Sequence, residues 1–163
     1  AVKKHQRRRP PPKQRRAVAP GLMLIDELRQ LDDGKRFWHG GAPGLAPGNY
    51  ILPASETGSS AATDKVLAAE AMGEIPYSQD VVYITNNLEL ALIFAGRYKG
   101  GFGDVYEVSP VGQIERDPDD RHGCFSYLCE RARIVRRVLV HPRVLRTIRG
   151  VLRLTPDGRS LQM

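Results

Sequence analysis

Cysteine is scarce in this chain, and long apolar runs are absent from it. The two cysteines, Cys124 and Cys129, are too few for a disulfide scaffold and are typical of a reducing compartment. No apolar run approaches the roughly 20 residues that cross a bilayer. No apolar segment follows the basic N-terminal residues, as it would in a secretory signal. We therefore expect a cytoplasmic protein with no membrane partner.

Acidic residues are missing from the N-terminus, so the net charge of +7 is unevenly distributed. Residues 1–16 contain eight Lys or Arg and no acid, whereas residues 17–120 contain seven basic and sixteen acidic residues. Residues 121–163 contain ten Arg and two acids. The acidic middle argues against a domain that binds nucleic acid over its whole surface.

The first 20 residues are rich in cations and proline and contain few bulky apolar side chains. This composition predicts a disordered tail, either a solvated leader or a segment that contacts a polyanion. Residues 21–163 are enough for one domain with its own core, and we expect a monomer.

Apolar spacing and turn residues predict an α+β fold with a mostly antiparallel sheet, because no regular βαβ repeat is present. Helices are predicted over 21–31, over 86–98 with Asn86 or Asn87 as its cap, over 142–149 with Gly150 ending it, and over a segment from Thr63 or Asp64 to Gly73. Strands are predicted within 36–41, 44–53, 81–85, 100–110, 111–123 and 131–140, and a terminal hairpin within 151–161.

Common catalytic and metal motifs are missing. The sequence has no Walker A loop, no G-x-S-x-G elbow and no H-E-x-x-H pair. A zinc site from His122, Cys124, Cys129 and His141 requires a wide C-x4-C spacing within an apolar stretch, so two buried thiols are the preferred interpretation. We predict no metal.

Polar residues at strand edges are the remaining candidates for chemistry. His39 ends "FWH", Tyr83 lies within "VVYIT", and Glu115 and Asp117 follow "VGQI". Taken singly, each has an ordinary structural explanation: a solvated histidine, a core tyrosine and acids in an Asp-Pro turn.

Taken together, the segments "FWHGG…GLAPGNYI", "VVYITNNLELALIFA" and "DVYEVSPVGQIERDPD" resemble the rifamycin ADP-ribosyltransferase family. The resemblance covers residues 36–140. The matching residues are Phe37, His39, Gly40, Leu45, Gly48, Tyr83, Thr85, Leu88, Ala91, Tyr106, Val108, Pro110, Gly112, Glu115, Asp117 and Pro118.

This resemblance implies an ADP-ribosyltransferase-like fold with a split sheet and transfer of ADP-ribose from NAD to a small-molecule hydroxyl, with a rifamycin antibiotic as leading acceptor. It implies that His39 holds a ribose hydroxyl, that the Gly40 backbone pairs with the nicotinamide carboxamide and that Tyr83 stacks on nicotinamide. It also implies that Asp117 supplies the carboxylate, with Glu115 as competitor. The implied NAD-binding set is His39, Gly40, Gly41, Tyr83, Thr85 and Leu88.

The chain departs from the family pattern at several places near the acceptor site. Gly41 replaces a threonine, Ser109 replaces a glutamate, the loop around Ser126 is shortened, and residues 53–80 look enlarged. Two alternatives therefore stay open: the same NAD chemistry on a protein or nucleic-acid acceptor, and a non-enzymatic module that binds a nucleotide or partner.

Overall fold

The computed structural model describes residues 21–57, 78, 80–98, 101–118, 120 and 125–154, with only the backbone described for 151–154. The predicted tail 1–20 and the predicted helix ending at Gly73 lie outside these residues. So do His122, Cys124 and most of the predicted terminal hairpin.

The described chain is a mixed α+β structure, as predicted. Its helices are α1 (Ile25–Leu31), α2 (Ala54–Thr57), α3 (Leu88–Gly96) and α4 (Pro142–Leu154). Its strands are β1 (Phe37–Gly41), β2 (Tyr50–Ile51), β3 (Val82–Thr85), β4 (Asp104–Val111), β5 (Glu115–Arg116), β6 (Ser126–Cys129) and β7 (Arg131–Val138).

The seven strands form one sheet in the order β2-β7-β4-β1-β3-β6-β5, and every pairing between these strands is antiparallel. Strand β1 pairs with β4 along its whole length, from Phe37–Val108 to Gly41–Asp104. Its pairing with β3, in contrast, is described at Trp38–Thr85 alone. The sheet is therefore continuous but narrowly joined between β1 and β3.

Side-chain alternation divides the core between the two faces of the sheet. On one face, Trp38 and Val105 pack beneath α1, α3 and α4. On the other, Ile84, Tyr106 and Ile134 belong to a second buried cluster. Cross-strand partners share a face, so His39, paired with Tyr106, projects on the second face.

Three side chains accept hydrogen bonds from backbone N–H groups at the start of α3. Asn87 is the N-cap, and its side chain accepts a hydrogen bond from Leu90 N at 3.2 Å. Asp32 Oδ2 accepts from Leu88 N at 2.9 Å, and Thr85 Oγ1 accepts from Asn87 N at 3.0 Å. Of the two asparagines predicted as caps, Asn87 is the one used.

Helix α4 corrects the prediction that Gly150 ends a short helix and that residues 151–154 begin a hairpin strand. The helix continues through Gly150 to Leu154. Val144, Leu145 and Ile148 form a buried stripe on it, and Arg149 donates to the carbonyls of Gly96, Tyr98 and Gly101 beyond α3. These contacts with α3 outweigh the weak helix propensity of one glycine.

Among the described helices, none has both the length and the apolar character needed to cross a membrane.

Candidate functional site

His39 lies in β1 with its imidazole bonded to the neighbouring strand. Its Nδ1 is 2.8 Å from the carbonyl oxygen of Tyr83. A carbonyl oxygen only accepts, so Nδ1 carries the proton in this contact. In the neutral ring Nε2 is then a lone-pair acceptor, suited to receive a hydrogen bond from a hydroxyl group.

The imidazole lies over Gly41, two residues further along β1. A Cβ placed on Gly41 would be 2.7 Å from His39 Nε2, closer than carbon and nitrogen atoms pack. The absence of a side chain at residue 41 therefore makes room for the ring in this orientation. The threonine of the resembling family would force the ring or the strand to move.

Burial lowers the pKa of His39, and the hydrogen bond to the Tyr83 carbonyl opposes this only in part. The neutral imidazole is therefore the favoured form in the folded protein at neutral pH. This is the form in which Nε2 accepts a hydrogen bond.

The lowered pKa of His39 predicts a loss of stability in weak acid. Because the unfolded chain, with a histidine pKa near ~6.5, binds the proton more readily, the stabilisation is complete above that value. It is lost as the pH falls through the lower pKa of the folded state. We expect the free energy of unfolding, measured in urea between pH 7.5 and 5.5, to fall more steeply for the wild type than for His39→Gln.

His141→Gln is the matched control for this comparison, because the His141 ring accepts a hydrogen bond from Arg143 N at the start of α4 and takes no part in the contact between β1 and β3. If the free energy of unfolding depends equally on pH in the wild type and in His39→Gln, the lowered pKa of His39 is contradicted.

The gap between β1 and β3 opens directly beside this imidazole. Continuing the register from the Trp38–Thr85 pair would place Gly40 opposite Tyr83, but no such pair is described. The Tyr83 carbonyl instead accepts from the His39 side chain. Beyond the Trp38–Thr85 pair, this side-chain hydrogen bond is the contact described between β1 and β3.

Gly40 projects to the opposite face of β1, toward α3. A Cβ on Gly40 would lie 1.9 Å from the carbonyl oxygen of Ala91 and 3.0 Å from the backbone nitrogen of Ala95. The glycine therefore permits close contact between helix and strand. This packing is a structural reason for Gly40 that is separate from its predicted contact with nicotinamide.

The loop after β1 is held beside His39 by two side chains of β4. The Tyr106 hydroxyl donates to the Ala42 carbonyl at 2.6 Å and accepts from Leu45 N at 3.1 Å. Asp104 Oδ2 accepts from Gly44 N at 2.8 Å, and Arg137 pairs with the same carboxylate. Burial raises the pKa of Tyr106, so its hydroxyl stays protonated and can donate.

Sequence reasoning missed this anchoring of the loop. Tyr106 matched the family motif and alternates with Val108 as a core residue does, but nothing local in the sequence connects its hydroxyl to Ala42.

Tyr83 is half-buried in β3, and its hydroxyl accepts a hydrogen bond from Ser78 N at 3.0 Å. It shares a face of β3 with Thr85, which pairs with Trp38 on the helix-covered side of the sheet. The side chains of Tyr83 and His39 therefore leave the sheet on opposite faces. They are brought together through the Tyr83 backbone.

The two candidate carboxylates lie at the far edge of the sheet. Glu115 pairs with Leu128, which pairs with Tyr83, so the three form one row across β5, β6 and β3. Two strand spacings separate the Glu115 and Tyr83 backbones, about 10 Å. The Glu115 side chain is exposed.

Asp117 follows β5 and is half-buried. Its N–H donates to the Ser126 carbonyl at 3.0 Å, and its carbonyl accepts from Asp120 N. The Asp120 carboxylate accepts from the N–H groups of Phe125 and Ser126, which closes the turn. The Asp117 backbone is therefore fixed by this turn, as the Glu115 backbone is fixed by its pairing with Leu128.

Thr85 and Leu88 have structural roles in the described chain. Thr85 is buried and uses its hydroxyl at the entry to α3, and Leu88 is 1% exposed within the core. Both support the position of β3 and α3 behind the gap.

The cysteine and histidine residues do not assemble a metal centre within the described ranges. No group of three or more His, Cys, Asp or Glu side chains there has the arrangement of a metal site. Cys129 is buried, and burial raises the pKa of its thiol to about 11. Such a thiol behaves as an apolar residue.

No protein-family model matches the chain, and no curated protein matches it.

Proposed function

We propose that this protein is an NAD-dependent mono-ADP-ribosyltransferase that transfers ADP-ribose to a hydroxyl of a small molecule, with release of nicotinamide. The observation that carries the proposal is the His39 contact: Nδ1 bonds the Tyr83 carbonyl at the opening between β1 and β3. The finer fold assignment, an ADP-ribosyltransferase-like split sheet, belongs to the same proposal, as does a monomeric cytoplasmic state.

The residues at this opening fit the chemistry of NAD. Nε2 of neutral His39 accepts from a ribose hydroxyl, and the β1 backbone near Gly40 offers peptide groups to a carboxamide. The Tyr83 ring leaves β3 on the sheet face opposite to His39, so in this proposal nicotinamide reaches through the gap between β1 and β3 to stack on it. The loop from Ala42 to Leu45 is fixed by Tyr106 before any substrate arrives, which reduces the ordering cost of binding.

Transfer of ADP-ribose breaks the bond between ribose C1′ and the nicotinamide nitrogen, whose electron pair leaves with nicotinamide. The acceptor oxygen forms the new bond to C1′, and its proton passes to a base. Asp117 is the proposed base and also stabilises positive charge on the ribose, as carboxylates do in glycoside cleavage. Glu115 is the competing assignment.

A rifamycin is the leading acceptor, on the resemblance described above. The proposal is tested by incubating the full chain with NAD and rifampicin and measuring adduct mass and free nicotinamide. An ADP-ribosyl adduct supports the whole proposal. Nicotinamide release without an adduct supports NAD chemistry on another acceptor, and NAD left intact after long incubation with varied acceptors contradicts both.

The two carboxylates are distinguished by matched amide substitutions. We expect Asp117→Asn to lower kcat about 100-fold with little change in the KM for NAD, because the base acts in the transition state. Glu115→Gln removes the same charge nearby and is expected to change kcat less than threefold. Nicotinamide release measured over a range of NAD concentrations checks both values. The reverse order would assign the role to Glu115.

A macromolecular acceptor is the second candidate. The observation that favours it is a set of exposed arginines in β7 and α4 for which the described residues provide no acidic partner.

A further inference from the structure

The segment from β7 to the end of α4 has a strongly one-sided charge. Residues 131–154 contain eight arginines and no Asp or Glu. Three of these arginines have defined partners elsewhere in the fold. Arg136 pairs with Glu107, Arg137 pairs with Asp104, and Arg149 binds backbone carbonyls and stacks 4.3 Å from the Phe102 ring centre.

Four others are exposed or nearly so and make no ion pair with any residue in the described ranges: Arg131, Arg133, Arg143 and Arg146. Glu130 is the acid nearest to Arg131 in sequence, but its carboxylate lies against Gly112. These four guanidinium groups therefore have hydrogen-bond donors available for an external anion.

Two of them, in β7, share a sheet face with an exposed aromatic ring. Tyr50 pairs directly with Arg133, and Arg133 pairs with Ser109 on its other side. Arg131 lies two residues along the same strand, about 6.8 Å away, opposite Val111. We call Tyr50, Arg131, Arg133, Ser109 and Val111 the arginine face.

The charges beside the arginine face are balanced, so its own excess is not cancelled. Glu107 is flanked by Arg136 and Arg36, and Arg36 also lies 3.6 Å from Asp33. Two carboxylates thus balance two guanidinium groups there. The Glu130 carboxylate, beside Gly112, offsets part of the charge of Arg131 and Arg133, which leaves a net positive charge on the arginine face.

From this arrangement we propose that the arginine face binds single-stranded nucleic acid. The guanidinium groups of Arg131 and Arg133 contact successive phosphates, and the Tyr50 ring, 46% exposed, stacks on a base. All five residues of the arginine face are exposed, so an extended single strand can contact them together. This binding does not depend on the proposed NAD chemistry. If the acceptor is a nucleic acid, the arginine face would also hold that acceptor.

Protection of a sheet edge is the alternative explanation for arginines here. Charged side chains on an edge strand discourage it from pairing with a strand of another molecule. That explanation fits Arg131, which is paired with β4 alone, but not Arg133, which is paired on both sides. It gives no role to an exposed tyrosine paired directly with one of them, and it predicts no effect of removing the Tyr50 ring on binding to a polyanion.

Fluorescence anisotropy of labelled oligouridine and oligothymidine, titrated with the full chain at several salt concentrations, tests the proposal. We expect the double variant R131Q/R133Q to bind roughly tenfold more weakly and to lower the salt slope by about 1.4, since each single-strand phosphate contact contributes about 0.7. Tyr50→Ala is expected to weaken binding about tenfold without changing the slope, and Tyr50→Phe to retain it. The two probes show whether RNA or DNA is preferred.

The matched control is R143Q/R146Q, which removes the same charge from α4. Because residues 1–16 are basic in every variant, their contribution to binding is constant across the comparison. Equal losses in the two double variants would mean diffuse attraction and would overturn the site. So would unchanged binding in Tyr50→Ala, or equally tight binding of a polyglutamate competitor. Thermal unfolding of each variant excludes loss of the fold as the cause.

Discussion

Replacing His39 by alanine is expected to lower NAD turnover about 100-fold or more. The change removes the Nε2 acceptor proposed to hold a ribose hydroxyl. It also removes the hydrogen bond of 2.8 Å that His39 Nδ1 donates to the Tyr83 carbonyl oxygen. Loss of one preorganised hydrogen bond to the reacting part of a substrate costs about 2.7 kcal/mol, which corresponds to two decades in rate. Nicotinamide release by the purified variant measures the effect.

His141→Ala is the matched control for loss of an imidazole. His141 accepts a hydrogen bond from Arg143 N at the start of α4, so this change affects helix capping and not the opening between β1 and β3. We expect it to retain turnover within about threefold. Near-normal turnover in a folded His39→Ala protein would remove the observation on which the proposed function rests.

Much of the fold could be predicted because its signals are local. The alternation in "VYEV" and "RARIV" predicts β4 and β7, and the pair Asn86 and Asn87 before an apolar segment predicts the start of α3, where the structure selects Asn87 as the cap. The short strand β6 was not assigned. Its sequence "SYLC" has no polar-apolar alternation, and its strand state depends on pairing with both β3 and β5.

The candidate site was predictable in composition but not in geometry. Residue types and their order select His39, Tyr83 and the acids after β4. They do not show that the side chains of His39 and Tyr83 project from opposite faces of the sheet and meet through a backbone carbonyl. That relation depends on strand register, and strand register is a property of the whole sheet.

Gly40 has a steric reason to be glycine in addition to its expected contact with the substrate. The resemblance assigns it a substrate contact through its backbone. The structure adds a steric requirement, because a Cβ on Gly40 would lie 2.9 Å from the carbonyl carbon of Ala91 as well as 1.9 Å from its oxygen. Loss of activity in a Gly40 variant would therefore be uninformative without a measurement of stability.

The second large effect is expected from that variant. Gly40→Ala should lower the free energy of unfolding by roughly 3 kcal/mol, the upper end for an overpacked core, because the obstructing atoms are helix backbone and cannot rotate away. For a domain of this size the midpoint of thermal unfolding should fall by roughly 10 °C. Urea and thermal denaturation followed by circular dichroism measure both.

Gly150→Ala is the matched control, since it makes the same chemical change in the interior of α4, where a Cβ on Gly150 meets no atom within 4 Å. Alanine favours the helix over glycine, so this variant should gain about 0.5–1 kcal/mol. A loss of stability in Gly40→Ala together with a gain in Gly150→Ala would show that α3 packs directly on β1 at Gly40. A neutral Gly40→Ala would mean that the helix and strand are further apart, and that the backbone beside His39 is less rigidly supported than the proposed NAD site requires.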